Sequence, residues 1–304
     1  MTLAFGGDVH FESYLRSQLD SDAAGMLGPI APILSTADLA IVNLETAITE
    51  RGTAEPKTYT FRAPAVAFTA LRSAGVDVAS MANNHGLDFG PVGFLDTMAA
   101  IHDTGFPVIG IGGDADAAYA PFTTTIRGQR IAVIAASYVI DSSLMDDWVA
   151  TDEHGGMASA YDAERLLRAV REARAEADTL VVFLHWGIEK MTCPEERQTT
   201  IARQLVDAGA DVIVGGHAHR VQGAGRLDGA VVAYGLGNFV WYAQPGASSE
   251  TGVLLVTATG RDVDAYQWIP AVIRNGVPNL LEGAEAATAT ESWNGLRSCT
   301  GLAP

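Results

Sequence analysis

The chain has 304 residues, 48% of them apolar and 18% charged, which describes a globular protein with ample core and excludes a disordered one. Its formal charge is −17, from 36 acidic and 19 basic side chains. No basic block interrupts that charge, so nucleic acid and anionic membrane surfaces are disfavoured as partners.

In chain order, residues 3–6 read as a strand that empties into Gly7-Asp8-Val9-His10. Residues 39–42 form a second apolar run, ending in Asn43-Leu44-Glu45. A polar loop over 49–60 leads to Phe61-Arg62-Ala63-Pro64, and 64–74 is helical in pattern, with proline early and Gly75 as a stop. The strand at 76–81 runs into Asn83-Asn84-His85. A helix is expected over 91–104, then strands over 108–111 and 131–135, with 123–126 as hairpin partner of the latter. Over 162–177, Leu166, Leu167, Val170 and Ala173 recur at helical spacing against Arg165, Arg168, Arg171 and Glu172. The strongest strand signal, 179–184, ends on His185-Trp186-Gly187. After a helix over 195–208, a strand at 211–214 delivers Gly215-Gly216-His217-Ala218-His219. Two histidines at i and i+2 can both face one point if the chain stays extended, and the glycines allow close approach of the backbone.

The last third changes character. Strands at 231–234, 252–259 and 265–269 follow one another without helices, as in an antiparallel sheet. Gly235-Leu236-Gly237-Asn238-Phe239 is a turn and not a phosphate loop, because neither Lys-Ser/Thr nor a helix follows. No linker divides the chain. Residues 1–281 read as one domain, and 282–304 as a C-terminal extension with one short helix near 291–296. Cys193 and Cys299 make no zinc spacing and no disulfide framework, and read as free thiols of a reducing compartment. With no signal-like start and no apolar span, the expectation is a cytoplasmic protein without a membrane partner.

Asp8/His10, Asn43/Glu45, Asn84/His85, His185 and His217/His219 all fall just after short apolar strands, where α/β proteins bind ligands. Five of the seven histidines are in these clusters; only His102 and His154 are not. Packing or solvation would not select strand ends, so a shared metal site is expected. The set of His, Asp, Glu and Asn exceeds what one tetrahedral ion needs and suits two ions with a bridging carboxylate.

Gly7-Asp8-x-His10, Asn84-His85, His185 and Gly216-His217-x-His219 resemble the calcineurin-like metallophosphoesterase superfamily. Asn43-Leu44-Glu45-Thr46, Phe61-Arg62-Ala63-Pro64, 82–90, His185-Trp186-Gly187-Ile188-Glu189 and 235–239 resemble its CapA branch, the poly-γ-glutamate capsule-synthesis proteins. The resemblance covers roughly residues 3–270. It implies a four-layer α/β/β/α sandwich and two divalent transition-metal ions (manganese, iron or zinc). Asp8, His10 and His219 would serve one ion and Asn84, His185 and His217 the other, with Glu45 in the place of a bridging aspartate. His85 and Asp8 are the candidate catalytic residues, His85 as the acid that protonates a leaving group or as a hydrogen-bonder that orients a ligand. Arg62, Lys190 and Arg220 are candidates to hold an anionic substrate.

Two ions against Asp8 and Glu45 leave the site at about +2. A small anionic or peptidic substrate is therefore compatible with a chain whose overall charge repels a long polyanion. Hydrolysis of a phosphoester or a γ-glutamyl/peptide bond by a metal-activated water is the expected chemistry. Epimerisation of a peptide Cα and a non-catalytic role as capsule or polyglutamate accessory protein are the alternatives.

Overall fold

A computed structural model describes all residues, Met1–Pro304. The first half contributes β1 (Thr2–Val9), α1 (Tyr14–Asp22), α2 (Ala31–Leu34), β2 (Leu39–Leu44), β3 (Ala47–Ile48), β4 (Arg62–Ala63), α3 (Ala67–Ser73), β5 (Val78–Ser80), α4 (Gly90–Thr104), β6 (Val108–Ile109), β7 (Ile111–Gly112) and α5 (Ala115–Tyr119). The second half contributes β8 (Phe122–Ile126), β9 (Gln129–Ser137), α6 (Met145–Trp148), β10 (Gly156–Met157), α7 (Ala163–Glu176), β11 (Thr179–Trp186), α8 (Glu196–Ala208) and β12 (Val212–His217). It closes with β13 (Ala224–Leu227), β14 (Ala230–Ala233), β15 (Asn238–Val240), β16 (Glu250–Thr259), β17 (Asp262–Arg274), β18 (Val277–Leu280) and α9 (Gly283–Leu296).

Strand side chains alternate between faces, and here each face finds a different core. On β1, Leu3 and Phe5 point one way and Ala4 the other; on β11, Val181 and Phe183 oppose Leu180, Val182 and Leu184. The inward sets of the two sheets meet in a middle core with Ile41, Val133, Val212 and Val214. The outward set of the first sheet packs under Leu15, Leu19, Phe68 and Leu71 of α1 and α3. The outward set of the second packs under Leu166, Val170, Ile201 and Leu205 of α7 and α8. Three apolar interfaces make four layers, the α/β/β/α sandwich. The first sheet runs β18-β17-β16-β1-β2-β5-β6, with β15 also pairing β1; the second runs β13-β14-β12-β11-β9-β8.

Several expectations change. The last third does not form a sheet of its own: β14 pairs parallel with β12 and β15 parallel with β1, while β16–β18 make an antiparallel edge on the first sheet and the β13–β14 hairpin one on the second. Periodicity cannot show which sheet a short strand joins. The helix expected from residue 64 begins at Ala67, and the 108–111 strand is broken at Gly110, where φ is +82°. The C-terminal helix spans 14 residues, Gly283–Leu296, and its one buried residue is Trp293, which stacks on Trp268 at 5.4 Å. No helix is long and apolar enough to cross a membrane.

The free-thiol expectation fails. Cys193, in the loop after β11, and Cys299, in a 3₁₀ turn after α9, form a disulfide across 106 residues of sequence. That pairing depends on where the C-terminal segment docks, which spacing does not reveal. It removes the thiol argument for a reducing compartment.

Candidate metal centre

Parallel register brings the strand ends level. Asp8 pairs with Asn43 between β1 and β2, and His185 with Gly216 between β11 and β12, so both sheets present their polar ends at one rim. The Gly-His-Ala-His segment does not stay extended as expected. His217 and His219 have φ of +85° and +50°, a left-handed turn that costs a non-glycine residue about 1–3 kcal/mol. This turn aims both imidazoles at the centre. Gly216 is required there, because a Cβ at that position would stand 2.3 Å from Asp8 Oδ1.

The result is two ligand triads that share one carboxylate, Glu45 with His185 and His217, and Glu45 with Asp8 and His219. Within each triad the donor atoms lie within 4.8 Å of one another. Asn84 joins the first, its Oδ1 being 2.7 Å from His185 Nε2. His10 is buried beside the second but belongs to neither triad: its Nδ1 accepts the Glu12 N–H at 3.0 Å. Phe61, Trp241 and Tyr242 pack round its ring, with centroids at 4.6, 4.1 and 4.4 Å.

Neighbouring groups hold the ligands in place. Asp8 accepts hydrogen bonds from Asn43 Nδ2 (2.8 Å) and the His217 N–H (3.0 Å). Asn238 Nδ2 donates to the Ser248 carbonyl, which turns its oxygen toward His219 Nδ1 at 2.9 Å. His219 must then carry its proton on Nδ1, leaving Nε2 free to ligate.

Burial dominates the electrostatics. It pushes the Glu45 carboxyl well above its usual range, with Asp8 adding to the shift. It holds His10 and His185 well below theirs and His217 at about 3, so these imidazoles are neutral at physiological pH. Of six buried side-chain polar atoms without a hydrogen-bond partner, four belong to this cluster: His10 Nε2, both Glu45 oxygens and His217 Nδ1. Such atoms cost about 1–3 kcal/mol each when left unpaired, and native structures keep few of them. Nitrogen and carboxylate donors concentrated in this way fit divalent transition metals.

His85 stands next to the triads. Its Nδ1 donates to Asp88 Oδ2 at 2.5 Å, and its Nε2 lies 3.8 Å from Glu45 Oε1. Burial lowers its pKa and Asp88 opposes that shift. The three candidate substrate residues are not bonded to the ligand side chains. Arg62 lies 4.7 Å over the Phe89 ring, Arg220 donates to the His219 carbonyl at 2.7 Å, and Lys190 is exposed with its N–H on the Ala218 carbonyl. Sequence reasoning assigned no role to Asn43, Asp88, Asn238 or Lys57. The first three sit inside the motif runs and could have been flagged there; Lys57, in the polar loop, carried no signal.

Residues 2–243 match the family described as bacterial capsule synthesis protein PGA_cap. The chain belongs to that family. A CapA protein of Bacillus subtilis, described as a PGA biosynthesis protein, is 27% identical over 90% of this chain and 74% of its own length. The capsule biosynthesis protein CapA of Bacillus anthracis is 29% identical over 71% of this chain, which spans 52% of that relative. A polyglutamine synthesis accessory protein of Mycobacterium tuberculosis is 29% identical over 67% of this chain and 55% of its own length. Among solved structures, a hypothetical protein of Thermus thermophilus superposes with a TM-score of 0.57 at 19% identity, covering 90% of this chain and all of that one. A 5′-nucleotidase of Candida albicans gives a TM-score of 0.50 at 12% identity, covering 98% of this chain and 58% of that one. These likenesses show that this PGA_cap member shares the metallophosphoesterase fold.

Proposed function

We propose that this PGA_cap protein is a binuclear metal-dependent hydrolase acting on a phosphoester or a γ-glutamyl/peptide bond. The observation that carries the reading is the pair of triads sharing Glu45, with four buried polar atoms lacking any protein partner. Asp8, His10, Glu45 and His219 would hold one ion, and Glu45, Asn84, His185 and His217 the other. When bound, such ions supply Lewis acidity at the scissile group and acidify an attacking water.

The chain's own residues supply the remaining steps. Asn43 and the His217 N–H fix Asp8, and Asn238 fixes His219. His85, held through Nδ1 by Asp88, directs Nε2 toward the Glu45 side; protonated on that atom as well, it would pass that proton to the leaving group and return to the neutral Nδ1–H form. The chain's net charge of −17 favours a small anionic or peptidic substrate over a long polyanion. Membership of the capsule-synthesis family PGA_cap, with a PGA biosynthesis protein among the relatives, supports a γ-glutamyl linkage. The accessory role in the mycobacterial relative's description supports a second reading, non-catalytic assistance to polymer synthesis.

Elemental analysis tests the metal site. Wild-type protein is expected to carry close to two transition-metal ions, and His185→Ala or His217→Ala to lose much of that content; wild type no richer in metal than the double variant ends the proposal. Activity is tested on phosphomonoesters, phosphodiesters and γ-glutamyl peptides. Metal-dependent release of phosphate or amine supports hydrolysis. Deuterium uptake at Cα without cleavage replaces it with epimerisation, and neither outcome in metal-loaded protein leaves the accessory role.

A further inference from the structure

The long loop between β3 and β4 exposes most of residues 50–59, yet it sends one ammonium group inward. The Lys57 side chain is only 8% exposed. Its Nζ donates to Asp88 Oδ1 at 2.6 Å and to the Asn84 carbonyl oxygen, lies 3.4 Å from Asp141 Oδ2, and sits 4.8 Å above the Trp148 ring. Asp88, fully buried, gives its other oxygen to His85 Nδ1 at 2.5 Å and to the Phe61 N–H at 2.6 Å. The Phe61 ring in turn stacks on His85 at 4.0 Å and on His10 at 4.6 Å.

A surface ion pair is worth little, whereas a buried charge is retained only where its partners are fixed around it. Here the partners are the backbone of a candidate ligand and the carboxylate that orients the candidate proton donor. Without the ammonium, Asp88 would be a buried carboxylate with its cation gone, and the Asn84 carbonyl would lose its bond to the loop, which would then hold this segment only through the Glu55 N–H on the Asp88 carbonyl. Binding and catalytic residues are disproportionately carried on loops held by a rigid scaffold, and this loop is fastened to α4 by Arg51 on Asp96 and to the Asp88 carbonyl by the Glu55 N–H.

We infer that Lys57 is a positioning residue: it locks the Asn84–His85 turn and Asp88 in one arrangement, so that Asn84 Oδ1 and His85 Nε2 face the Glu45 side of the centre together. The inference rests on the binuclear reading. It places the effect of Lys57 on the ion served by Asn84, His185 and His217, and not on the one served by Asp8 and His219.

The test uses chelator-treated full-length protein titrated with Mn²⁺, free Mn²⁺ being followed by electron paramagnetic resonance. Three samples are compared with wild type: Lys57→Met, Lys57→Cys, and Lys57→Cys alkylated with 2-bromoethylamine, which returns an ammonium on a side chain of lysine length. His185→Ala marks which binding step belongs to the Asn84 side. Lys57→Met and unmodified Lys57→Cys are expected to weaken that step by about 10–100-fold, the usual effect of losing a group that orients a ligand. The other step should stay within about threefold of wild type, and alkylation should recover most of the loss. Equal weakening of both steps, wild-type binding by Lys57→Met, or no recovery on alkylation overturns the inference. In those cases wild type still takes up two ions and the binuclear reading stands. Wild type that takes up none overturns both.

Discussion

At the scale of single residues, the most informative side chain is His85. It adjoins the candidate ligand Asn84, but its Nδ1 is committed to Asp88 and only Nε2 faces the centre. His85→Asn is therefore expected to leave metal content near wild type while slowing turnover by about 10²–10⁴-fold, the range for a general acid. The loss should be large for alkyl esters or amines and small for activated aryl esters, whose departing oxygen needs no proton. A variant that loses its metal would make His85 a ligand or a ligand support, and equal slowing of good and poor leaving groups would make it an orienting group. Gly216 shows the same economy of space: its missing side chain is the room that Asp8 Oδ1 occupies.

At the scale of elements, the C-terminal helix α9 is built differently from the helices that cover the sheets. Helix α7 buries Leu166, Leu167, Val170 and Ala173 along one stripe, whereas α9 buries Trp293 alone. Trp293 stacks on Trp268, meets Tyr266 edge-on at 6.2 Å and closes the end of the core between the sheets, while Arg297 donates to the Tyr266 hydroxyl at 2.9 Å. Trp293→Ala is expected to destabilise the fold by about 3–5 kcal/mol, the range for deleting a large core aromatic. Chemical denaturation measures this, and metal content should be unchanged because no ligand lies on α9. A loss under about 1 kcal/mol would show that α9 contributes little to holding the core shut. The disulfide ties the turn after α9 to the loop that follows His185, and Ala303 pairs with Arg226 of β13, so the C-terminal segment is fastened beyond the helix as well.

For the whole molecule, the buried histidines set a pH dependence. His10, His85, His185 and His217 all have folded-state pKa values pushed below 6.5, chiefly by burial, with His217 at about 3. The unfolded chain takes up protons on these groups near pH 6.5 and the folded chain does not, so stability falls as pH falls below that value. Each histidine contributes a slope of at most about 1.4 kcal/mol per pH unit, and the loss continues toward the folded-state values. Glu45 acts in the opposite sense: its raised pKa makes the folded state the better proton binder above about pH 4.5, so its contribution fades as pH rises through the folded value. Asp77 and Asp211, also raised by burial, act in the same sense as Glu45, and four histidines outweigh these three carboxyls between about pH 6.5 and 5. The thermal midpoint of chelator-treated protein should therefore drop steadily across that interval. A flat profile would mean that these imidazoles are protonated within the fold.

Much of this was legible in the sequence. Alternating apolar runs fixed the central strands, and the appearance of Asp8, Glu45, Asn84, His185 and His217 directly after them marked one rim, because a parallel α/β arrangement brings carboxyl ends together. The motif runs identified the family and with it the four layers. Tertiary structure alone decided the rest. Whether the 231–234 strand extends the second sheet or starts a new one depends on pairing partners remote in sequence. Cys193 and Cys299 meet only because the segment after α9 docks along β13, where Ala303 pairs with Arg226. The left-handed turn at His217 and His219 goes against the local preference of histidine and is accompanied by the close approach of Gly216 to Asp8, a residue remote in sequence. Lys57 sits in a polar loop like any solvated lysine, and it becomes part of the site only where the fold carries that loop back over Asp88. Local pattern determines which residues can form strands, helices and ligand clusters; the environment that turns a side chain into a ligand, a disulfide or a positioning charge is made by residues far along the chain.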